Sequence, residues 1–186
     1  MELLPTLKFD WLNGWLLLAF EFLIQGGLLL VFPKPVVIRL FDRSGWSARQ
    51  RLFTILGKVF SLACLVLIIL TPLKLNLSIF IPGLILYVTG IAGLVTAMLN
   101  FKATPPDQTV TKGIYKRSRH PQIVSLFVIF FGICVATGSW AAFIAPILSK
   151  VFQHFGILAE EEVCLKKYGR SYHAYMKRIP RYFLFF

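Results

Sequence analysis

Two short stretches hold most of the side chains able to act on a ligand: GIYKRSRHP at 113–121 and AEEEVCLKKYGRSYHAY at 159–175. In the first, Pro121 suits the first turn of a helix, where its missing N–H has no partner to lose. Arg119 and His120 then stand at the mouth of that helix, where free backbone N–H groups and the helix dipole favour an anionic group. Lys116, Arg117 and Arg119 would serve equally to anchor the chain on lipid phosphate. In the second stretch Glu160, Glu161 and Glu162 form the one acidic cluster in a chain with eight acidic residues. They follow an apolar run, and carboxylates at the end of a helix oppose its dipole and nearby anionic lipid unless the helix runs on past them. A cost of that kind points to a cationic partner, either a ligand or Lys166, Arg170 and the basic loops.

Other reactive residue types form no such group. Cys64, Cys134 and Cys164 are isolated, the first two inside apolar runs, and His120, His154 and His173 lack the spacing of a zinc site. Neither a disulfide framework nor a metal site is expected. Glu21 lies inside the first apolar run, where a charge costs about 2.5–3.5 kcal/mol, and Gln25 is one turn later on the same face. The pair reads as an interhelical hydrogen bond or as a substrate contact inside the bundle.

These residues must be positioned by membrane helices. The chain has 186 residues, 57% hydrophobic, with a mean hydropathy of +0.73, too apolar for a soluble domain of this length. Apolar runs able to cross about 30 Å of hydrocarbon lie at Trp11–Phe32, Leu52–Leu70, Ile79–Leu99, Ile123–Ala136 and Trp140–Ile157. Only Thr137, Gly138 and Ser139 separate the last two, which predicts a tight helical hairpin bringing the two motif stretches together at one membrane face. The first run is too long for a signal-peptide core, so the first helix is expected to stay. The net charge of +12 sits in blocks between the apolar runs. That pattern fits loops beside anionic lipid headgroups and argues against a nucleic-acid groove. Lys34, Arg39, Arg43, Arg49 and Arg51 follow the first run, and Lys102, Lys112, Lys116, Arg117 and Arg119 follow the third. Charge and span parity agree on an outer N-terminus and a cytoplasmic C-terminus. The expected fold is thus an all-α integral membrane protein, a single domain over 1–186, with five transmembrane helices, a C-terminal helical hairpin and a cytoplasmic amphipathic tail. Its membrane would be the plasma membrane in a prokaryote and the endoplasmic reticulum in a eukaryote.

GIYKRSRHP, the GSW of the hairpin at 138–140, the Glu160–Glu161 pair and KYGRSYHAYMKRIPR at 167–181 resemble the isoprenylcysteine carboxyl methyltransferase and phospholipid methyltransferase superfamily. The motif-bearing part, 113–181, follows the family's order and spacing. The resemblance implies a five-helix membrane enzyme that binds S-adenosylmethionine from the cytosol and methylates a lipophilic acceptor in the bilayer, a prenylated carboxylate or a phospholipid amine. On this reading Glu160 and Glu161 take the cofactor's ammonium, Arg119 and His120 with the N–H groups after Pro121 take its carboxylate, and Tyr115 lies against the adenosine. Family members usually carry an arginine a few residues before the glutamate pair, where Gly156, Ile157, Leu158 and Ala159 stand here, and Arg-His-Pro-Met-Tyr reads Arg-His-Pro-Gln-Ile. An amine acceptor would need deprotonation, for which His120 or His154 is available.

Two other classes compete: a membrane reductase or isomerase of the related sterol or carotenoid type, and a non-catalytic scaffold of the same fold. Chain length argues against a nicotinamide reductase, because a dinucleotide needs more helices to house it, and a haem isomerase would need histidines within helices, where only His154 is clearly placed. The topology is checked by cysteine-accessibility labelling, in which a cysteine placed at Lys177 is expected to react only from the cytoplasmic side.

Overall fold

The computed structural model describes Leu3, residues 6–75 and residues 78–183. Regular structure among these is helical: α1 (Trp15–Val31), α2 (Lys34–Phe41), α3 (Ala48–Leu70), α4 (Phe80–Lys102), α5 (Pro121–Thr137), α6 (Trp140–Tyr168) and α7 (Arg170–Arg178), with a 3-10 turn at Gly113–Lys116. α3, α4 and α6 are long and apolar enough to cross a membrane. α1 and α5 are apolar but have 17 residues each, about 25 Å of helix against a hydrocarbon layer of about 30 Å.

Three boundaries differ from the sequence reading, each for a local reason. The first helix starts at Trp15, because Asn13 is buried and its amide donates to the Lys8 and Ile69 carbonyls at 2.6 and 3.0 Å, pinning the preceding chain to the end of α3. The basic stretch after α1 contains α2, begun at Pro33-Lys34-Pro35 with proline in its first turn. The last apolar run continues as helix to Tyr168, where Gly169 at φ 54° ends it. The 29 residues of α6 measure about 43 Å. A helix entering one edge of the hydrocarbon near Trp140 therefore projects beyond the other from about Ala159 onward. The three glutamates lie inside this projecting helix rather than at its C-terminus, so the dipole penalty expected of them does not apply.

Two helix pairs carry the packing. α4 and α5 approach so closely that backbone meets backbone: a Cβ on Gly132 would lie 2.5 Å from the Tyr87 nitrogen, and one on Gly83 2.5 Å from the Ala136 nitrogen. Small residues at the contact let helices gain dispersion contacts where lipid offers no hydrophobic drive between them. α3 and α6 instead meet through aromatic rings, Phe53 with Phe155 at 4.3 Å and Phe60 with Phe152 at 5.2 Å, and through a polar seam of Ser61, Ser149 and Gln153. The α5–α6 hairpin turns on Gly138 at φ 68°, and Ser139 caps α6 by accepting from the Ala142 N–H at 3.1 Å. Pro146 removes the N–H that would bond the Ala142 carbonyl. The Cys134 thiol donates to that carbonyl instead, at 2.7 Å.

The close α4–α5 approach is testable by overpacking. Gly132→Leu is expected to cost at least about 1–3 kcal/mol and to lower the unfolding temperature in detergent. Gly26→Leu in α1, where a Cβ meets nothing within 4 Å, should leave it unchanged.

Candidate active site

The hairpin, with the turn that precedes it and the chain that follows α7, assembles one charged cluster at the polar end of the bundle. The 3-10 turn delivers Tyr115, whose backbone carbonyl accepts from the Tyr175 hydroxyl at 2.7 Å, fastening the turn to α7. Residues 118–120 then run beside the segment after α7: the Arg119 N–H donates to the Pro180 carbonyl at 3.0 Å, and the His120 N–H to that of Arg181 at 3.3 Å. Pro121 opens α5. These backbone bonds fix where Arg119, His120 and Arg181 enter the cluster.

All three converge on Glu161, which is 3% exposed. His120 Nε2 lies 3.1 Å from its Oε1, Arg119 Nη1 3.2 Å from the same oxygen, and Arg181 grips Oε2 with Nη2 at 2.8 Å and Nε at 3.1 Å. Burial alone would raise the Glu161 carboxyl. The hydrogen bonds from His120 and Arg181, with the nearby charge of Arg119, outweigh it and hold the group at about 2. The same hydrogen bond raises the Arg181 guanidinium above its ordinary value. Because Glu161 is ionised, Nε2 of His120 must carry the hydrogen, which leaves Nδ1 as the nitrogen able to exchange a proton. Nδ1 lies 3.9 Å from Glu160 Oε2.

The two glutamates therefore divide. Neighbours on a helix point about 100° apart: Glu161 turns inward onto its three partners, while the Glu160 side chain is 55% exposed and lines a cavity of about 460 Å³. Tyr115, Arg119, His120, Gln122 and Gln25 line that cavity with it. Arg119 is only 6% exposed, yet among the described residues its Nε and Nη1 have no hydrogen-bond partner. The 3.2 Å approach of Nη1 to Glu161 is an ion pair without hydrogen-bond alignment. Asp42 also lines the cavity, with Oδ1 accepting from the Ser44 N–H at 2.9 Å.

Two residues singled out in the sequence lie elsewhere. His154 does not line the cavity; its Nδ1 is 2.7 Å from the Tyr182 hydroxyl. Glu21 is buried in α1, 2% exposed, and also off the cavity wall, so of that pair only Gln25 reaches the site.

Three side chains escaped the sequence reading. Arg181 stood in the matching IPR segment, a signal present but unused. Arg39 read only as loop charge. Its guanidinium donates to the Thr104, Pro105 and Gln108 carbonyls at 2.9–3.1 Å and to the Tyr168 hydroxyl at 3.2 Å, tying α2 and the loop after α4 to the end of α6 across the cavity. Trp46 lies against Gly156, where a Cβ would come within 3.2 Å of the ring, and so forms a wall beside the stretch that lacks the family arginine.

Replacing Glu161 by Gln should leave two guanidinium groups and an imidazole without their anion. Breaking a buried pair from one side costs about 3–5 kcal/mol. The expected result is a large drop in detergent melting temperature for Glu161→Gln, and almost none for the exposed Glu160→Gln.

No curated protein and no solved structure matches the chain. A family model described as phospholipid methyltransferase matches residues 66–171, which is more than half of the 186 residues and includes the 3-10 turn, the hairpin and both glutamates. The chain belongs to the phospholipid methyltransferase family.

Proposed function

We propose that the protein transfers a methyl group from S-adenosylmethionine to a lipophilic acceptor held in the bilayer, crossing the membrane five times with its C-terminus in the cytoplasm. The observation that carries this reading is the cavity itself, where an exposed carboxylate, an under-bonded buried arginine and an imidazole stand together among tyrosines. The donor set fits the cofactor. The cavity's volume lies in the range of small-molecule sites, the exposed Glu160 carboxylate would take an ammonium, and Arg119, which lines the same cavity, would take a carboxylate. Tyr115, Tyr168 and Tyr172 offer flat apolar faces for a nucleoside and for a sulfonium.

S-adenosylmethionine supplies the methyl group on a sulfonium, open to in-line attack. The protein's work is then alignment and exclusion of water. Glu160 holds one end of the donor and Arg119 the other, while Glu161 takes no ligand and instead fixes Arg119 and His120 in place. A carboxylate acceptor needs no base. An amine acceptor gives its proton to His120 Nδ1, the nitrogen left free by the bond to Glu161. His154, bonded to Tyr182 away from the cavity, has no place in this scheme.

Glu160→Gln keeps shape and removes charge, so isothermal titration of S-adenosylmethionine against it isolates one contact. Loss of a charge-assisted partner worth about 1.5–3 kcal/mol should weaken binding about ten- to a hundredfold without loss of thermal stability. Undiminished binding would place the ammonium elsewhere, and a parent protein that binds no cofactor would remove the reading altogether.

A further inference from the structure

Between α3, α5 and α6 lies a second cavity of about 150 Å³, deeper than the first and bordered by Ser61, Ser149, Lys150, Gln153, Leu126 and Phe130. Gln153 and Leu126 line both cavities. Lys150 follows Trp140 by about 15 Å of helix, which places it near the middle of the hydrocarbon, where a charge is retained only with a partner. Its ammonium donates to Gln153 Oε1 at 3.1 Å, one turn nearer the polar end of α6 and still about 10 Å of helix short of Glu160.

Gln153 has no further capacity to neutralise it. Its Nε2 already donates to Ser149 Oγ at 2.6 Å and Ser61 Oγ at 3.1 Å, and Ser149 in turn donates to the Gly57 carbonyl at 3.0 Å. The glutamine is thus locked by two serines and a helix carbonyl in the one orientation that turns its oxygen to the ammonium. Among the described residues no carboxylate forms an ion pair with Lys150. A pre-positioned cation with donor capacity to spare, beside a cavity whose other wall is Cys64, Leu126, Phe130 and Pro146, is complementary to an anionic oxygen group attached to an apolar chain. Lys58, one turn before Ser61 on α3, lines the larger cavity and adds a second cation on the way to it.

We infer that Lys150, oriented by Gln153 and the Ser61–Ser149 pair, forms a binding site for the anionic oxygen group of a membrane amphiphile. The site stands whether or not the adjoining cavity transfers methyl groups; if it does, the occupant is an acceptor or a lipid lodged next to one. Two sources carry this chemistry, a fatty carboxylate and a phospholipid phosphate.

The full chain, purified in a neutral maltoside detergent, is titrated with radiolabelled oleate and, in a separate arm, with radiolabelled phosphatidic acid. Unlabelled methyl oleate serves as the uncharged competitor. Saturable binding is expected in at least one arm, with methyl oleate competing at least tenfold less well than the unlabelled acid. Lys150→Gln should weaken it tenfold or more, while Lys150→Arg retains most of it. Binding in the oleate arm alone identifies a carboxylate, and in the phosphatidic acid arm alone a phosphate. In the parent protein the bound anion should also shield Lys150 from a lysine-acylating reagent read by mass spectrometry, a measurement that needs no variant. The inference is overturned by no saturable binding in either arm, by equal competition from methyl oleate, by unchanged affinity in Lys150→Gln, or by unshielded acylation of Lys150. S-adenosylmethionine titration of the same preparations separates the two proposals: Lys150→Gln should keep its cofactor affinity within twofold, and a parent that binds the anion but not the cofactor sinks the methyltransferase reading alone.

Discussion

A carboxylate taken out of water between two guanidinium groups and an imidazole constrains everything around it. Glu161 gains nothing from burial itself; desolvation works against its charge, and only simultaneous contact with Arg119, His120 and Arg181 reverses the balance. Those three partners come from the turn before α5 and the segment after α7, while Glu161 sits on α6. Each partner therefore has to be delivered by backbone that is itself fixed. The paired carbonyls of Pro180 and Arg181 do this for Arg119 and His120, and the short hairpin turn at Gly138 and Ser139 keeps α5 and α6 from drifting apart. A loss anywhere in this ring would leave charge buried without its complement, so the cluster couples distant parts of the chain that share few other contacts.

The same coupling explains where open space is allowed. α4 and α5 are pressed together to backbone distance by their glycines, so no ligand-sized gap exists along that contact. α3 and α6 are held apart by rings and a polar seam, and both cavities adjoin α6 on the side facing α5. α2 closes the larger one at the polar end, where Arg39 spends four hydrogen bonds on loop carbonyls and on Tyr168. A guanidinium used in this way acts as a strap: its charge is satisfied by carbonyl dipoles, and its planar fork fixes three chain segments in one geometry.

How far the sequence discloses this depends on the length scale of each signal. Apolar runs are long, so the starts of the long helices were legible within a few residues, and the motif stretches could be placed on the hairpin because only Thr137, Gly138 and Ser139 part its two runs. Hydropathy marks where a chain leaves hydrocarbon and not where a helix ends, which is why α6 outlasts its apolar run and why the dipole argument about the glutamates did not hold. The division of Glu160 from Glu161 was available in principle, since adjacent helical side chains cannot share a direction; treating them as a pair overlooked that geometry. Arg39 and Trp46 were illegible for a different reason. Their roles depend on contacts with α6 and the loop after α4, more than a hundred residues away in the case of Tyr168 and Gly156, and nothing local distinguishes them from ordinary loop residues.

α6 carries the whole axis of the site. Glu160 faces the cavity at its polar end, Gln153 stands about 10 Å deeper by helix rise, and Lys150 a further turn below. On the proposed function, S-adenosylmethionine with its ammonium, carboxylate and sulfonium would enter only from the watery end, because crossing hydrocarbon would strip its charges of solvent. An apolar chain has the opposite constraint and is stable only at the depth of Leu126 and Phe130. Both cavities meet at Gln153, so on that reading a reactive group on an amphiphile would lie between the level of that glutamine and the level of Glu160 to meet a donor held above it. On the proposed function, the level of the methyl transfer along α6 would follow from the solubility of the two reactants, between the neutral amide of Gln153 and the carboxylate of Glu160.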